Sequence, residues 1–398
     1  MGLGNMWRDF AAVLFSVALL GVGLGSTMPL IAMTLQARGF SAEIIGLSVT
    51  ACALGGVLAT VAAPGLARRY GRRTVMLGCL LLAAASVLPM QYLYALPGWM
   101  LAYFLFGAAM APFFVLGESW INNLASDSSR GRLVALYATC FTACQVLGPL
   151  LTNWLSRWPQ QAFLLCGGLF LMGLPGILLA SDHEHAVAGG QPASQPNGKR
   201  ADASWLAIVR LAPTIVLGTA FFASFDTVML SFLPLIAMQH GMSQPRALAS
   251  ASILLAGDAL LQFGIGWLAD RCGRLLVQRV CAGLVCLLLP ALPLLMTSWP
   301  QLWVGYLFLL GGCAGAIYTL SMVAGGELFS GAALIRVSGL ISLSWNLSSS
   351  AGPAATGWVI QHFGSAWMVS VLWLLALLFA GFSFVRRRQV VALPEQVA

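Results

Sequence analysis

The feature that most constrains this chain is a stretch of about twenty apolar residues that recurs twelve times along its 398 residues. A helix needs about 20 apolar residues to cross a hydrocarbon core of about 30 Å, because it rises 1.5 Å per residue. That ruler places spans at 9–35, 43–67, 74–95, 98–120, 132–156, 160–180, 207–238, 246–269, 275–297, 300–324, 335–360 and 364–385. Backbone N–H and C=O groups left unpaired in lipid are costly, so runs of this length must be helical. The predicted fold class is an all-α membrane protein with twelve transmembrane helices. Composition agrees: 59% of residues are hydrophobic and 8% charged, where a water-soluble domain carries about a quarter charged.

The first apolar run, Phe10 to Leu35, is too long for the core of a secretion signal and reads as the first span. Between Ser181 and Ser204 the sequence turns to Gly, Pro, Gln and charge without hydrophobic periodicity, which predicts a flexible linker. It divides the chain into an N-terminal six-helix bundle (1–180), a linker (181–204) and a C-terminal six-helix bundle (205–398). With the N-terminus placed in the cytoplasm, 17 of the 20 Lys and Arg residues fall on the cytoplasmic side, the exceptions being Arg38, Arg157 and Arg246. The positive-inside bias therefore predicts both termini cytoplasmic and an even number of spans. The net charge of +8 sits in these short loops rather than in a basic stripe, so no nucleic-acid partner is expected.

Internal repeats support two related halves. Pro29-Leu30-Ile31-Ala32-Met33 recurs as Pro234-Leu235-Ile236-Ala237-Met238. Gly65 opens a loop segment carrying Arg69, Gly71 and Arg72, and Gly266 opens one carrying Arg271, Gly273 and Arg274. Gly148-Pro149 matches Gly352-Pro353, and Glu118 matches Glu327. The matches occur in the same order, as expected of two pseudo-symmetric six-helix bundles.

On these residues the chain resembles the major facilitator superfamily. Its loop pattern is roughly G-x-L-x-D-R/K-x-G-R/K, and Gly266-Trp267-Leu268-Ala269-Asp270-Arg271-Cys272-Gly273-Arg274 fits every defined position. The first copy departs, with Arg68 where the aspartate belongs. The resemblance implies that Asp270 ties neighbouring helices together at the cytoplasmic end. It also implies a central cavity lined by the first and fourth spans of each half. Cavity candidates are Ser26, Thr27, Tyr103, Phe114, Phe222, Phe225, Met229 and Tyr318, with Trp345 and Asn346 from the eleventh span. Residue by residue, the alternative is an aromatic that faces lipid or another helix. The stretch from Gly117-Glu118-Ser119-Trp120 to Arg130-Gly131-Arg132-Leu133 is similar to a bacterial subgroup of facilitators.

Two acids interrupt the apolar runs. Asp226 lies 16 residues beyond Arg210 and Asp258 lies 12 residues before Asp270, placing them roughly 24 Å and 18 Å along their helices from the cytoplasmic end. An ionised carboxylate there costs at least ~2.5–3.5 kcal/mol. Each must be protonated, face water or meet a cation, and such a group suits proton coupling; the alternative is a neutral acid hydrogen-bonded to a backbone carbonyl. Glu118 and Glu327 close the fourth and tenth spans, and Arg132 and Arg336 open the following ones. Ion pairs among these would act as a cytoplasmic gate; the alternative is two solvated glutamates.

The nine cysteines show no CxxC spacing, and no metal site or cofactor is expected. No GxxxxGK[ST] phosphate loop and no nucleophile-base constellation occurs, so the chain reads as no enzyme. The expected function is proton-coupled secondary transport of small organic molecules across the bacterial inner membrane by a monomer in the bilayer. Export of amphiphilic or cationic compounds is the first reading. Proton-driven uptake of a metabolite or metal chelate is the second, and a non-transporting receptor or scaffold is the alternative of another class.

Overall fold

The computed structural model describes residues 3–124, 130–180, 213–298, 301–328 and 331–385. Among them no strand occurs, and the helices give twelve spans. The first six are α1 (Leu3–Ala37), α2 (Ala42–Tyr70), α3 (Arg72–Val87, continued by a 3-10 turn Leu88–Gln91), α4 (Leu96–Leu124), α5 (Arg130–Leu155), and α6 (Ala162–Met172) with α7 (Leu174–Leu179). The second six are α8 (Pro213–Gln239), α9 (Gln244–Cys272), α10 (Arg274–Ser298), α11 (Trp303–Leu328), α12 (Gly331–Phe363) and α13 (Ser370–Val385). Ten spans are long and apolar enough to cross a membrane over their described residues; the fifth and eleventh, α5 and α12, fall short. These two carry runs of Ser, Thr, Asn and Gln. The expected linker 181–204 lies outside the described residues.

The sixth span breaks at Gly173-Leu174-Pro175 because Pro175 cannot donate a backbone hydrogen bond. The break is stitched to α1: the buried Ser16 hydroxyl donates to the Gly173 carbonyl at 2.7 Å. Pro29, Pro64, Pro112, Pro149, Pro234 and Pro353 all sit inside continuous helices.

The described residues form two compact units. One holds α1–α7 together with Leu230–Ser252, the α8–α9 turn and the helix ends beside it. Within it the Gln244 side-chain amide donates to the Ser156 hydroxyl, joining the start of α9 to the end of α5. The other unit holds the rest of α8 and α9 with α10–α13.

The same helix crossing is built in each unit. Glycines bring α2 onto α4: a methyl at residue 55 would overlap the Phe104 carbonyl oxygen, and one at residue 107 would overlap that of Cys52. In the second unit a methyl at residue 257 would overlap the Phe308 carbonyl oxygen, and one at residue 311 that of Leu254. Helix association in membranes relies on such small residues, because packing rather than water exclusion drives it.

Candidate functional site

Gly71 and Gly273 end α2 and α9 with positive φ, 83° and 95°. Each closes its helix with a backbone bond, to the Ala67 oxygen at 2.9 Å and the Ala269 oxygen at 3.0 Å. A side chain is strained in that conformation, which accounts for the glycine of both loop copies. The arginines that follow act differently. Arg274 donates from Nε and Nη2 to Asp270 Oδ1 at 3.2 and 3.0 Å, and from Nη1 to Glu327 Oε1. It thus ties the end of α9 and the start of α10 to the end of α11. Arg72 is instead buried, with its guanidinium 4.5 Å from the centre of the Trp120 ring. Arg69 and Arg271 lie over the rings of Tyr70 and Trp267. Gly65 and Gly266 have open space around them.

Among the described residues Glu327 is thus met by Arg274. The side chains of Arg132 and Arg336 lie outside the described residues. Glu118 is partly buried, close enough to Tyr137 for its charge to act on that ring hydroxyl.

α8 is the most enclosed span, with 89% of its apolar window buried inside the protein. From Phe221 to Ala237 every residue is buried except Asp226. Along this middle stretch Asp226 is thus the one residue that is half-buried rather than buried. One turn earlier, on the same face, Phe222 stacks on Tyr318 of α11 (ring centroids 5.3 Å apart, 14° between planes). Trp345 of α12 completes a trio, 5.2 Å from Tyr318 and 5.9 Å from Phe222. Tyr318 and Trp345 are partly exposed, while Phe222 forms the buried floor.

Asp258 sits on the adjacent helix and is 6% exposed. It is close enough to Asp226 for the two charges to interact. Gln262 Nε2 donates to its Oδ1 at 2.7 Å. Its carboxylate lies in the α9–α11 crossing, against Gly315; a methyl on residue 315 would overlap Oδ1. Gly315 and Gln262 complete this site without standing out in the sequence, since glycine is abundant in spans and Gln262 resembles any interfacial amide.

Ser26 and Thr27 are fully buried. Their hydroxyls donate to the Gly23 oxygen at 3.1 and 2.6 Å and lie against Cys166 Sγ of α6. Tyr103 is buried beside Phe106, and its hydroxyl has no hydrogen-bond partner among the described residues. Phe114 packs on Tyr137 and Phe141 of α5. Phe225 and Met229 are buried within α8. Asn346 turns its amide back onto the Ser342 oxygen at 2.8 Å. The structure thus brings Phe222, Phe225, Tyr318 and Trp345 into one aromatic cluster and sets Asp226 beside Asp258, while Ser26, Thr27, Tyr103 and Phe114 lie in separate surroundings. Among the described residues no group of three or more His, Cys, Asp or Glu is placed to hold a metal.

Comparison with known proteins gives this arrangement a family. The MFS-type transporter YfkF of Bacillus subtilis (strain 168) is 22% identical over 365 residues, 90% of each chain. The MFS-type transporter YcaD of Escherichia fergusonii is 24% identical over 383 residues, 93% of this chain and 95% of its own. Among solved structures, a D-xylose–proton symporter superposes with a TM-score of 0.76 at 16% identity, covering 96% of this chain and 97% of its own. The nucleoside transporter NupG superposes with a TM-score of 0.73 at 15% identity, covering 97% of each. The sequence profile of the Major Facilitator Superfamily matches residues 13–257 and again 246–396. The chain accordingly belongs to the major facilitator superfamily, a family of membrane transporters rather than enzymes.

Proposed function

We propose that this protein is a proton-coupled secondary transporter. It moves small organic molecules across the bacterial inner membrane by alternating access, as a monomer with both termini cytoplasmic, and its net direction is export of amphiphilic or cationic compounds. The observation that carries the reading is the pair Asp226 and Asp258: interacting acids on consecutive helices, one half-buried and one buried. Two such acids cannot both stay ionised cheaply at low dielectric, which favours a shared, exchangeable proton. Gain and loss of that proton changes the charge beside the aromatic trio and so links proton movement to cargo. In this scheme Gly65, Arg69, Gly71, Arg72, Gly266, Asp270, Arg271, Gly273, Arg274, Glu118 and Glu327, with Arg132 and Arg336, serve the cytoplasmic gate.

The test is flux in liposomes holding the purified protein, with a pH gradient imposed in each direction and candidate cargo on one side. Cargo-dependent proton movement that reverses with the gradient is expected, and Asp226→Asn should abolish it while the protein still folds. Undiminished coupled flux in that variant overturns the role of the acid.

Proton-driven uptake is the second reading, favoured by the fold shared with a D-xylose–proton symporter. A polar cargo such as a sugar needs several uncommitted hydrogen-bonding groups. The ring trio offers mostly apolar surface, and the amide nitrogen of neighbouring Asn346 already bonds the Ser342 oxygen of its own helix. Export of less polar cargo therefore ranks first.

A further inference from the structure

We propose that Cys281 and Cys313 form a redox modification site within the second unit: two facing thiols that a small, neutral, membrane-permeant peroxide converts to a disulfide joining α10 to α11. The inference goes beyond transport and is independent of cargo and proton coupling.

Helix register places the pair. α10 and α11 pack together in the second unit. Gln278 Nε2 donates to the Ile317 oxygen at 3.4 Å, and the Tyr306 hydroxyl donates to the Leu288 oxygen at 2.7 Å. Contacts rise along α10 as they fall along α11, so the two helices run antiparallel. From the first contact, Cys281 is three residues on and Cys313 four residues back; from the second, each is seven residues away. Steps of three, four and seven return to the same helix face. The two cysteines therefore meet on the contact face between these two bonds. Both are buried, and their thiols are near enough to share a hydrogen bond.

A small apolar residue would serve packing here, as the buried Ala282 and Ala314 beside them do. Two thiols opposite one another add a chemistry that alanine lacks. Cys140 and Cys144 also interact, but they share α5, so a bond between them would join no two elements. The Cys281–Cys313 bond would hold α11, which bears Tyr318 and Glu327, in one register against α10.

Hydrogen peroxide supplies the oxidation. One sulfur attacks a peroxide oxygen and gives up its proton; the O–O bond breaks, leaving a sulfenic acid and water. The second sulfur attacks the sulfenic sulfur, and its proton leaves with the hydroxyl as a second water. Each sulfur gives up one electron and the peroxide takes both. Contact between the thiols puts the second sulfur beside the sulfenic acid as it forms. Glutathione is charged and enters an apolar interior at high cost, so neutral reductants reach the bond and glutathione does not.

The test treats full-length protein in native membranes with hydrogen peroxide and maps chymotryptic peptides by mass spectrometry without reduction. Cys272→Ser is included to remove the exposed thiol. A Cys281–Cys313 linked pair is expected at least about tenfold above any pair containing Cys286, because only facing thiols reach bonding geometry. Dithiothreitol should reverse the link, and glutathione at the same concentration should not. The oxidised protein should melt at a higher temperature, since the bond restricts the unfolded chain. Cys281→Ala and Cys313→Ala should each abolish the linked pair and the rise in melting temperature; Cys286→Ala should keep both. If an alanine variant does not fold, the peptide map decides, together with protein unfolded in dodecyl sulfate, where the preference over Cys286 should vanish. Absence of the pair at peroxide concentrations that convert the exposed Met322 of α11 to sulfoxide overturns the proposal. So does an equal yield of the Cys286–Cys313 pair in the folded protein.

Discussion

The Asp258 carboxylate occupies space that exists because residue 315 is glycine. A methyl there would overlap Oδ1 and approach Gln262 Nε2 within 3.1 Å. At the corresponding place in the first unit, one residue past Gly55 and four past Gly107, Gly56 faces Ala111, whose methyl would lie 3.1 Å from one added at residue 56. The small residue has changed helices between the two copies, and the second copy has gained an acid.

That relationship predicts the effect of Gly315→Ala. The added methyl must displace the carboxylate or part the helices, which is overpacking of about 1–3 kcal/mol. The variant should melt at lower temperature, read by fluorescence-detected gel filtration on heating, and should lose most proton-linked flux. Ala111→Gly in the first unit should cost only about 1 kcal/mol, the helix propensity of glycine, and should keep its flux. Equal flux in the two variants would show that the position of Asp258 does not matter.

The two glycine crossings give a second expectation. Because Gly107 and Gly311 each bring a neighbouring carbonyl oxygen where a methyl would fall, Gly107→Ala and Gly311→Ala should both destabilise strongly, by about 3 kcal/mol or more once the helices are forced apart. Melting of the purified variants measures this. Gly283→Ala, where nothing lies near the added carbon, is the matched control and should be neutral or slightly stabilising. A small loss at Gly107 or Gly311 would mean that these crossings tolerate separation.

These cases show what the sequence could and could not carry. The spans were legible because a bilayer demands long apolar helices, and Asp226 and Asp258 stood out as charges within them. The loop glycines were legible because Gly71 and Gly273 recur in both copies of the loop, and the positive φ of each accounts for the choice of glycine. Which faces meet was not. Ser26 and Thr27 turn to Cys166 on α6, yet a helix apolar all round gives no periodicity to say so. That Glu327 meets Arg274 was not legible either, because three helix ends converge there, a fact of packing and not of spacing. Gly315 was one glycine among many until the carboxylate opposite it was located.

The arginines of the two loops should differ in what they contribute. Arg72 is 4% exposed over Trp120, so Arg72→Ala removes buried packing and a desolvated cation–π contact. A loss of about 2 kcal/mol or more is expected. The Arg274 network is solvent-exposed, with Asp270 65% and Glu327 58% accessible, so Arg274→Ala should change stability by less than about 1 kcal/mol. Its effect should appear in flux instead, since it joins three helix ends. Thermal melting and flux of both variants separate the two roles; a larger stability loss for Arg274→Ala would contradict the burial order.

The last expectation concerns the two acids themselves. Asp226 is the one half-buried residue along the middle of α8, whereas Asp258 is buried against Gly315 and Gln262. A hydrophobic carbodiimide reacts with protonated carboxyl groups that it can reach in an apolar setting. It should modify Asp226 first, and peptide mass spectrometry would read the order. Asp226→Asn should leave only the slower reaction at Asp258, and Gly315→Ala should quicken that reaction by pushing the carboxylate out of the crossing. Faster labelling of Asp258 than of Asp226 in the unaltered protein would contradict the order of burial of the two acids.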